Sequence, residues 1–276
     1  MFKDLVVNLT VGTDRDPAAQ FAVSIAAAFE AHIAGIAFAY DPVITPNVMD
    51  GLSVAWVDTQ RAENLAAARE AVDRFEAAAK RESLSAEHRI IEASLGKAAN
   101  LFGRLARRFD LAVVGQMDPE QMLPDGLLIE AALFESGRPA VVVPYIQKEG
   151  LKLDRVLVCW DGGRSAARAI SDSMPFLKRG KVIEIVIVAS GNGTADELPG
   201  VDLGEHLARH DLDVEVKRLI AADIDVSDVI LSYAADRAAD FIVMGGYGHS
   251  RLREFVLGGV TRGILQSMTV PVFMAH

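Results

Sequence analysis

The sequence predicts an α/β protein of two tandem doubly wound domains, each a five-stranded parallel sheet with helices on both faces. Three observations lead to this prediction. Short apolar runs alternate along the chain with longer stretches of helical periodicity, which is the pattern of βα units. The runs at 156–159, 183–189 and 241–244 read as near-continuous apolar strands, as expected for a buried parallel sheet. The alternation also occurs twice within 276 residues, a length that fits one large or two ordinary domains.

The elements of each half follow the same order. In the first half we expect a strand within 3–10, a helix at 17–30, a strand near 33–39, a helix at about 58–81, a strand near 88–93, and a helix and strand within 102–115. In the second half we expect a strand within 154–161, a helix at 165–177, strands near 182–188 and 214–219, a helix and strand within 232–245, and a strand at 270–274. Residues 41–57 contain Pro42, Pro46 and Gly51, which predicts a loop over one face of the first domain.

The two halves are an internal repeat. The segment FGRLARRFDLAVVG at 102–115 aligns with SYAADRAADFIVMG at 232–245, which places Asp110 on Asp240 and Gly115 on Gly245. The predicted domains are therefore 1–146 and 154–276, joined by a short polar linker. We expect them to pack as an intramolecular pseudo-dimer through strands 140–143 and 271–274.

Composition excludes several classes of function. The net charge is −10, which argues against nucleic-acid binding, because that needs a basic surface, and against anionic membranes. No run reaches the roughly 18 apolar residues of a membrane span. The single cysteine, Cys159, is interpreted as a small buried side chain in a strand, and the sequence shows no disulfide framework. The N-terminus lacks a secretion signal, so the expected location is the cytoplasm.

A glycine-rich segment follows the strand at 241–244. Gly245, Gly246 and Gly248 come first, and Gly258 and Gly259 follow just before a helical pattern. A strand, a glycine loop and a helix start together form an anion site, since backbone N–H groups and the helix dipole favour a phosphate. The segment is not a P-loop, because G-x4-G-K-[ST] is absent, and it is not a dinucleotide fingerprint.

These residues resemble the universal stress protein family. Gly245, Gly248 and Gly258 match its G-x2-G-x9-G pattern ahead of a Val-Pro-Val strand, and WDGGRSAARA at 160–169 is similar to the end of its first strand. The resemblance covers nearly the whole chain and implies a tandem member with an adenine nucleotide alpha hydrolase-like, Rossmann-like fold. It further implies binding of ATP or AMP, with or without Mg²⁺, a role in stress survival, and homodimers in some members. One departure is Gly259, where the family usually has Ser or Thr.

The predicted nucleotide-binding residues all lie in the second half. They are Asp161, Gly245, Gly248, His249, Ser250, Gly258, Gly259, Val260 and Thr261. In this prediction Asp161 contacts the adenosine part and the loop amides contact phosphates. The alternatives are a helix-capping role for the aspartate, turn glycines, and solvated loop side chains. Val188–Ala189 and Ile220–Ala221 could wall an adenine pocket, although core packing is the preferred interpretation. No catalytic residue and no metal ligand set is predicted.

The first half lacks the corresponding chemistry. Thr10 stands where Asp161 does, Gln116 begins a shortened loop with Asp118 and Glu120, and Ile129 stands where Thr261 does. We therefore expect one nucleotide site, in the second domain, with a regulatory or protective rather than catalytic output. Two rival hypotheses are a slow Mg²⁺-dependent ATP hydrolase and a non-nucleotide module that binds an apolar ligand or a protein. The second rival is motivated by the first domain and by the 42–57 segment with Trp56.

Overall fold

The computed structural model describes residues 1–42, 54–117, 125–190, 201–246 and 259–276. Two compact units are present, Met1–Arg138 and Pro139–His276. The sequence-predicted boundary lay at 146–154, and by contact density the second unit already begins before the strand at 140–143. Both units have the predicted doubly wound α/β architecture.

The first unit contains four strands and four helices among its described residues. They are β1 (Asp4–Leu9), α1 (Pro17–Phe29), β2 (His32–Tyr40), α2 (Val54–Arg81), β3 (Ala86–Ala93), α3 (Leu95–Ala106), β4 (Leu111–Gly115) and α4 (Asp125–Phe134). The strands lie in the order β3-β2-β1-β4, and the three strand pairs β1–β2, β1–β4 and β2–β3 are parallel. α1 contacts α2, and α3 contacts α4. This pairing is expected when two helices cover each face of a sheet.

Two local signals explain where the helices of this unit begin. Asp16 caps α1, since its carboxylate accepts from the Ala19 N–H and proline follows at the first helical position, where its missing N–H has no cost. The predicted loop at 41–57 is partly wrong, because α2 already begins at Val54. Residues 54–57 lack proline and glycine, so nothing in them interrupts the helical pattern that follows. The rest of that segment, 43–53, lies outside the described residues.

The second unit repeats the pattern after one additional strand. Its elements are β5 (Ala140–Val143), β6 (Arg155–Cys159), α5 (Arg164–Leu177), β7 (Val182–Ser190), α6 (Val201–Ala208), β8 (Val214–Ala221), α7 (Val226–Asp236), β9 (Phe241–Gly245), α8 (Gly259–Ser267) and β10 (Val272–Ala275). The order is β5-β10-β9-β6-β7-β8. β10, β9, β6, β7 and β8 pair in parallel, whereas β5 pairs with β10 antiparallel, with Val141 opposite Phe273.

The pairing of β5 with β10 was expected from the pseudo-dimer prediction, although the structure counts both strands in the second unit. The packing of the two domains as a pseudo-dimer stays a prediction. The core of this unit is aromatic and aliphatic: Phe176 packs against Phe241 and Phe273 with ring centroids 5.0 and 5.8 Å apart.

The repeat alignment of Asp110 with Asp240 corresponds to a shared structural role. In the first unit, Oδ2 of Asp110 accepts from the Asp4 N–H at 3.2 Å. In the second, Oδ2 of Asp240 accepts from the Arg155 N–H at 2.8 Å. Each aspartate thus satisfies the first backbone donor of the central strand of its unit. This position is structural and lies at the amino end of the strands, away from the predicted ligand edge.

Candidate functional site

A cavity of about 170 Å³ lies in the second unit. It is formed where β6, β7 and β9 end and where α5, α7 and α8 begin. Open α/β sheets bind ligands at this carboxyl edge, at the point where the strand connections change direction. In the order β9-β6-β7, the chain leaves β6 towards β7 and returns later to β9 on the other side. The cavity is therefore at the topological switch point of the unit.

One wall of the cavity is apolar. It consists of Val186 and Val188 from β7, Val226 and Ile230 from α7, and Met244 from β9. Such a wall suits the faces of a flat apolar or aromatic group, and it offers no charge. The functional interpretation of Val188, as part of a pocket, is the one that this geometry favours. The other three suggested wall residues do not line it: Ala189 and Ile220 are exposed, and Ala221 is buried.

Asp161 brings a carboxylate to the cavity. The residue is exposed, and its Oδ1 accepts from the Gly163 N–H at 2.7 Å. Gly162 between them has φ +75°, a conformation that glycine adopts without strain. Within the described residues, Oδ2 makes no hydrogen bond to the protein. The turn therefore holds the carboxylate while leaving it acceptor capacity for a hydroxyl or amino group.

Gly245 and Gly259 both line the cavity, for different reasons. A Cβ at Gly245 would lie 2.5 Å from the backbone nitrogen of Ala166 and 2.8 Å from the carbonyl carbon of Ser165. Gly245 thus lets the end of β9 pack against the first turn of α5. Among the described residues, a Cβ at Gly259 would meet no atom within 4 Å.

The first turn of α8 completes the described part of the cavity. Gly259, Val260 and Thr261 begin this nine-residue helix and all line the cavity, and Thr261 is buried at 4% exposure. The first four N–H groups of a helix have no intrahelical acceptor, and the dipole at this end favours an anion. The start of α8 thus brings backbone N–H groups to the cavity, and the described lining contains no basic side chain.

Cys159 lines the same cavity. Burial raises the pKa of its thiol to about 12, and the neighbouring Asp161 carboxylate adds to the effect. The thiol is therefore neutral at physiological pH and is a poor nucleophile. Cys159 ends strand β6, as expected, but it is only partly buried, because it borders a cavity rather than a closed core.

The structure brings together five of the nine predicted site residues: Asp161, Gly245, Gly259, Val260 and Thr261. The other four, Gly248, His249, Ser250 and Gly258, lie outside the described residues. Sequence reasoning missed Trp160, Val226, Ile230 and Met244. Three of these are aliphatic or methionine residues at the ends of ordinary strands and helices, so no residue type marked them. Only the topology, which places the end of β9 beside β6 and α7 against β7, could have found them.

The first unit carries different side chains at the corresponding edge. The Thr10 N–H and hydroxyl both donate to Asp16, at 2.7 and 3.3 Å, and burial raises the pKa of that carboxyl. By strand register, Phe38 stands where Val188 does. Phe38 is buried at 1% exposure, and Ile129, the counterpart of Thr261, at 3%. Larger apolar side chains thus occupy this edge, consistent with the expected loss of the site. Asp118 and Glu120 lie outside the described residues.

Two features are absent from the described residues. These residues contain no group of three or more His, Cys, Asp or Glu side chains that could hold a metal ion. None of their helices combines the length and the apolar character needed to cross a bilayer.

The fold and the cavity together define a doubly wound α/β protein with a cavity at the carboxyl edge of its second unit. Residues 152–276 match the model of the universal stress protein family. A universal stress protein of Synechocystis sp. is 25% identical over 173 residues, which cover 59% of this chain and 57% of that protein.

Two further similarities are also to universal stress proteins. A universal stress protein of Methanocaldococcus jannaschii is 31% identical over 64 residues, covering 23% of this chain and 39% of that protein. The chain thus spans less than two thirds of the curated relatives that it matches. The crystal structure of a universal stress protein from Archaeoglobus fulgidus superposes with a TM-score of 0.72 at 16% identity, over 99% of this chain and 95% of that one. This similarity concerns the fold.

Proposed function

We propose that the second unit binds an adenine nucleotide, ATP or AMP, at the cavity between β6, β7 and β9. The observation that carries this proposal is the combination found in one place: an apolar wall, a carboxylate with acceptor capacity at Asp161, and the first turn of α8. The apolar wall and the carboxylate suit an adenosine group, and the helix start suits a phosphate.

The residues fit such a ligand part by part. The base would lie against Val186, Val188 and Ile230, which are apolar. A ribose hydroxyl would donate to Oδ2 of Asp161. The other oxygen, Oδ1, already accepts from the Gly163 N–H. The phosphates would accept from backbone N–H groups of Gly259 to Thr261. The described cavity, about 170 Å³, is smaller than the roughly 300–1,000 Å³ of typical ligand pockets. The phosphates would therefore extend beyond the described part of the cavity.

The proposed output is regulatory or protective. Nucleotide occupancy would change what the surface of this domain presents to a partner. A hydrolytic reaction would need Mg²⁺ and an acidic ligand set beside the phosphates, and the described residues supply no group of three metal ligands. A slow Mg²⁺-dependent hydrolase remains the rival that predicts turnover. It would be favoured by ATP hydrolysis at a rate well above that of a Gly248→Val variant.

The experiment that tests the proposal has two parts. First, the purified chain is denatured and any released nucleotide is identified by mass spectrometry. Second, ATP and AMP are titrated into nucleotide-free wild type and into Asp161→Ala by calorimetry. Loss of the hydrogen bonds to Asp161 should weaken binding by roughly 10-fold or more, because hydrogen bonds to charged groups contribute about 1.5–3 kcal/mol. An absence of released nucleotide together with wild-type affinity in Asp161→Ala would contradict it. An apolar compound released instead would favour the non-nucleotide module.

A further inference from the structure

The apolar strand β7 contains one charged residue, Glu184, and its side chain is fully buried. Side chains alternate along a strand, so Glu184 lies on the same sheet face as Val186 and Val188, which line the cavity. A buried carboxylate is strongly unfavourable unless it is paired and hydrogen-bonded. The burial of Glu184 in a strand that lines the cavity therefore requires interactions that offset this penalty.

Glu184 has three partners that satisfy its charge. The Tyr233 hydroxyl donates to Oε2 at 2.6 Å, Arg237 Nη2 donates to Oε1 at 2.9 Å, and Arg155 also bonds Oε1. Burial by itself would raise the pKa of Glu184, but the hydrogen bonds from Arg237 and Tyr233 and the two guanidinium charges lower it overall. Burial and the bond to Glu184 raise the pKa of Tyr233 to about 12. At neutral pH the carboxylate is therefore ionised and the phenol protonated.

The same helix stripe that lines the cavity also holds Glu184. Val226, Ile230, Tyr233 and Arg237 are spaced by four, three and four residues, which places them along one side of α7 and its C-terminal cap. The first two line the cavity, and the last two bond Glu184. Arg155 is the first residue of β6, the strand that leads to the cavity at its other end. Glu184 on β7 therefore connects β6 and α7 through hydrogen bonds at the end of the strands opposite the cavity.

We propose that Glu184 and Tyr233 are positioning residues for the cavity, which they hold open by fixing α7 against β7. Apolar packing is non-directional, so it does not by itself fix how far a helix slides along a strand. Hydrogen bonds to a buried carboxylate are directional and lose much if they are misplaced. A wall held in this way is preorganised, and preorganisation strengthens binding because less ordering accompanies it. The expected effect on nucleotide affinity rests on the proposed function. The expected effect on the shape of the cavity does not.

The first unit provides an internal comparison. By strand register, Ala34 occupies the position of Glu184, since Asp4 pairs with His32 as Arg155 pairs with Val182. Ala34 is buried and uncharged. The first unit thus has Phe38 in place of Val188 and has no carboxylate in place of Glu184. The second unit has both the cavity and the carboxylate.

The test uses the full chain carrying Trp56→Phe, so that Trp160, at the cavity, is its single tryptophan. Tyr233→Phe removes the hydroxyl that bonds Glu184 and keeps the ring. Tyr145→Phe is the matched control, because it is the same chemical change at an exposed position outside the wall. Acrylamide quenching of Trp160 and hydrogen exchange over 226–236 are measured without ligand. The affinity for AMP is measured at 25 °C on folded protein.

We expect Tyr233→Phe to raise both the quenching constant of Trp160 and the exchange rate of α7 several-fold, and to weaken AMP binding by about 3- to 10-fold, the size of one hydrogen bond. Tyr145→Phe should change none of these. Unchanged quenching and exchange in Tyr233→Phe would overturn the inference, as would equal changes in Tyr145→Phe. If quenching and exchange change while neither wild type nor variant binds AMP, the positioning role stands and the proposed function fails. Wild-type AMP affinity in a loosened Tyr233→Phe cavity would refute the link to affinity.

Discussion

Replacing Gly245 by alanine should destabilise the second unit, whereas the same change at Gly259 should not. Both glycines belong to the segment that suggests a phosphate site, and both line the cavity. Their surroundings differ sharply. An added Cβ at Gly245 would lie 2.5 Å from the Ala166 nitrogen, and an added Cβ at Gly259 would have no described atom within 4 Å.

The magnitude follows from that clash. The atoms that the new methyl group would meet are backbone atoms of the first turn of α5, which cannot rotate away as a side chain could. Either α5 or the end of β9 must move, and overpacking of this kind costs about 1–3 kcal/mol. At roughly 2–4 °C per kcal/mol for a chain of this size, the melting temperature should fall by about 2–12 °C. Gly259→Ala should leave it unchanged or raise it slightly, because alanine is the better helix former.

The assay is urea denaturation and calorimetry of Gly245→Ala, Gly259→Ala and wild type under one condition without nucleotide. Omitting the ligand matters, since a bound nucleotide would stabilise the folded state by mass action and confuse packing with binding. Equal stability of the two variants would refute the reasoning, because it would mean that the close approach of β9 to α5 does not constrain position 245.

Three further predictions concern the cavity and its support. Gly259→Ser restores a hydroxyl where the described residues leave room for it and should strengthen ATP binding by roughly 2- to 10-fold in calorimetry, the size of one hydrogen bond; an equal gain in Gly259→Ala would assign the effect to helix propensity instead. The pKa of Glu184 is lowered from its ordinary 4.5, so its ionised form stabilises the fold fully above that value and loses this contribution as the pH falls through the folded-state pKa. Urea denaturation of Glu184→Gln should therefore show a deficit against wild type at pH 7 that shrinks below about pH 4; a deficit independent of pH would argue against it. Because the pKa of the Cys159 thiol is about 12, labelling of this single cysteine at pH 8 should be slower than in urea by roughly a hundredfold or more, and AMP should slow it further; fast labelling of the native protein would contradict the buried, neutral thiol.

The elements followed from sequence pattern because each is determined locally. The aliphatic runs of β1, β6 and β9 and the helical period of α1 and α5 mark both their type and their approximate ends. The start of α2 was placed too late because Pro42, Pro46 and Gly51 suggested a loop reaching further than it does. The glycine segment and Asp161 were likewise recognisable, since glycine and a strand-end aspartate are distinctive residue types.

The apolar half of the site was not recognisable in this way. Val226 and Ile230 look like any helix residues, and whether such a side chain lines a cavity or fills a core depends on what stands opposite. Glu184 is the sharper case: in the sequence it only interrupts an apolar strand. Its partners Arg155, Tyr233 and Arg237 come from β6 and from α7 and its cap, brought together by strand order.

By itself the sequence determined the α/β class, the internal repeat, and the difference between an intact glycine segment in one half and an altered one in the other. Those features are written in periodicity and residue type, which act over a few neighbouring positions. Tertiary structure decided that Gly245 serves close packing while a Cβ at Gly259 would meet no described atom within 4 Å, and that β5 pairs with β10. It also brought the buried Glu184 carboxylate together with Arg155, Tyr233 and Arg237. These depend on distances between atoms far apart in the chain, and the folded arrangement of strands and helices sets those distances.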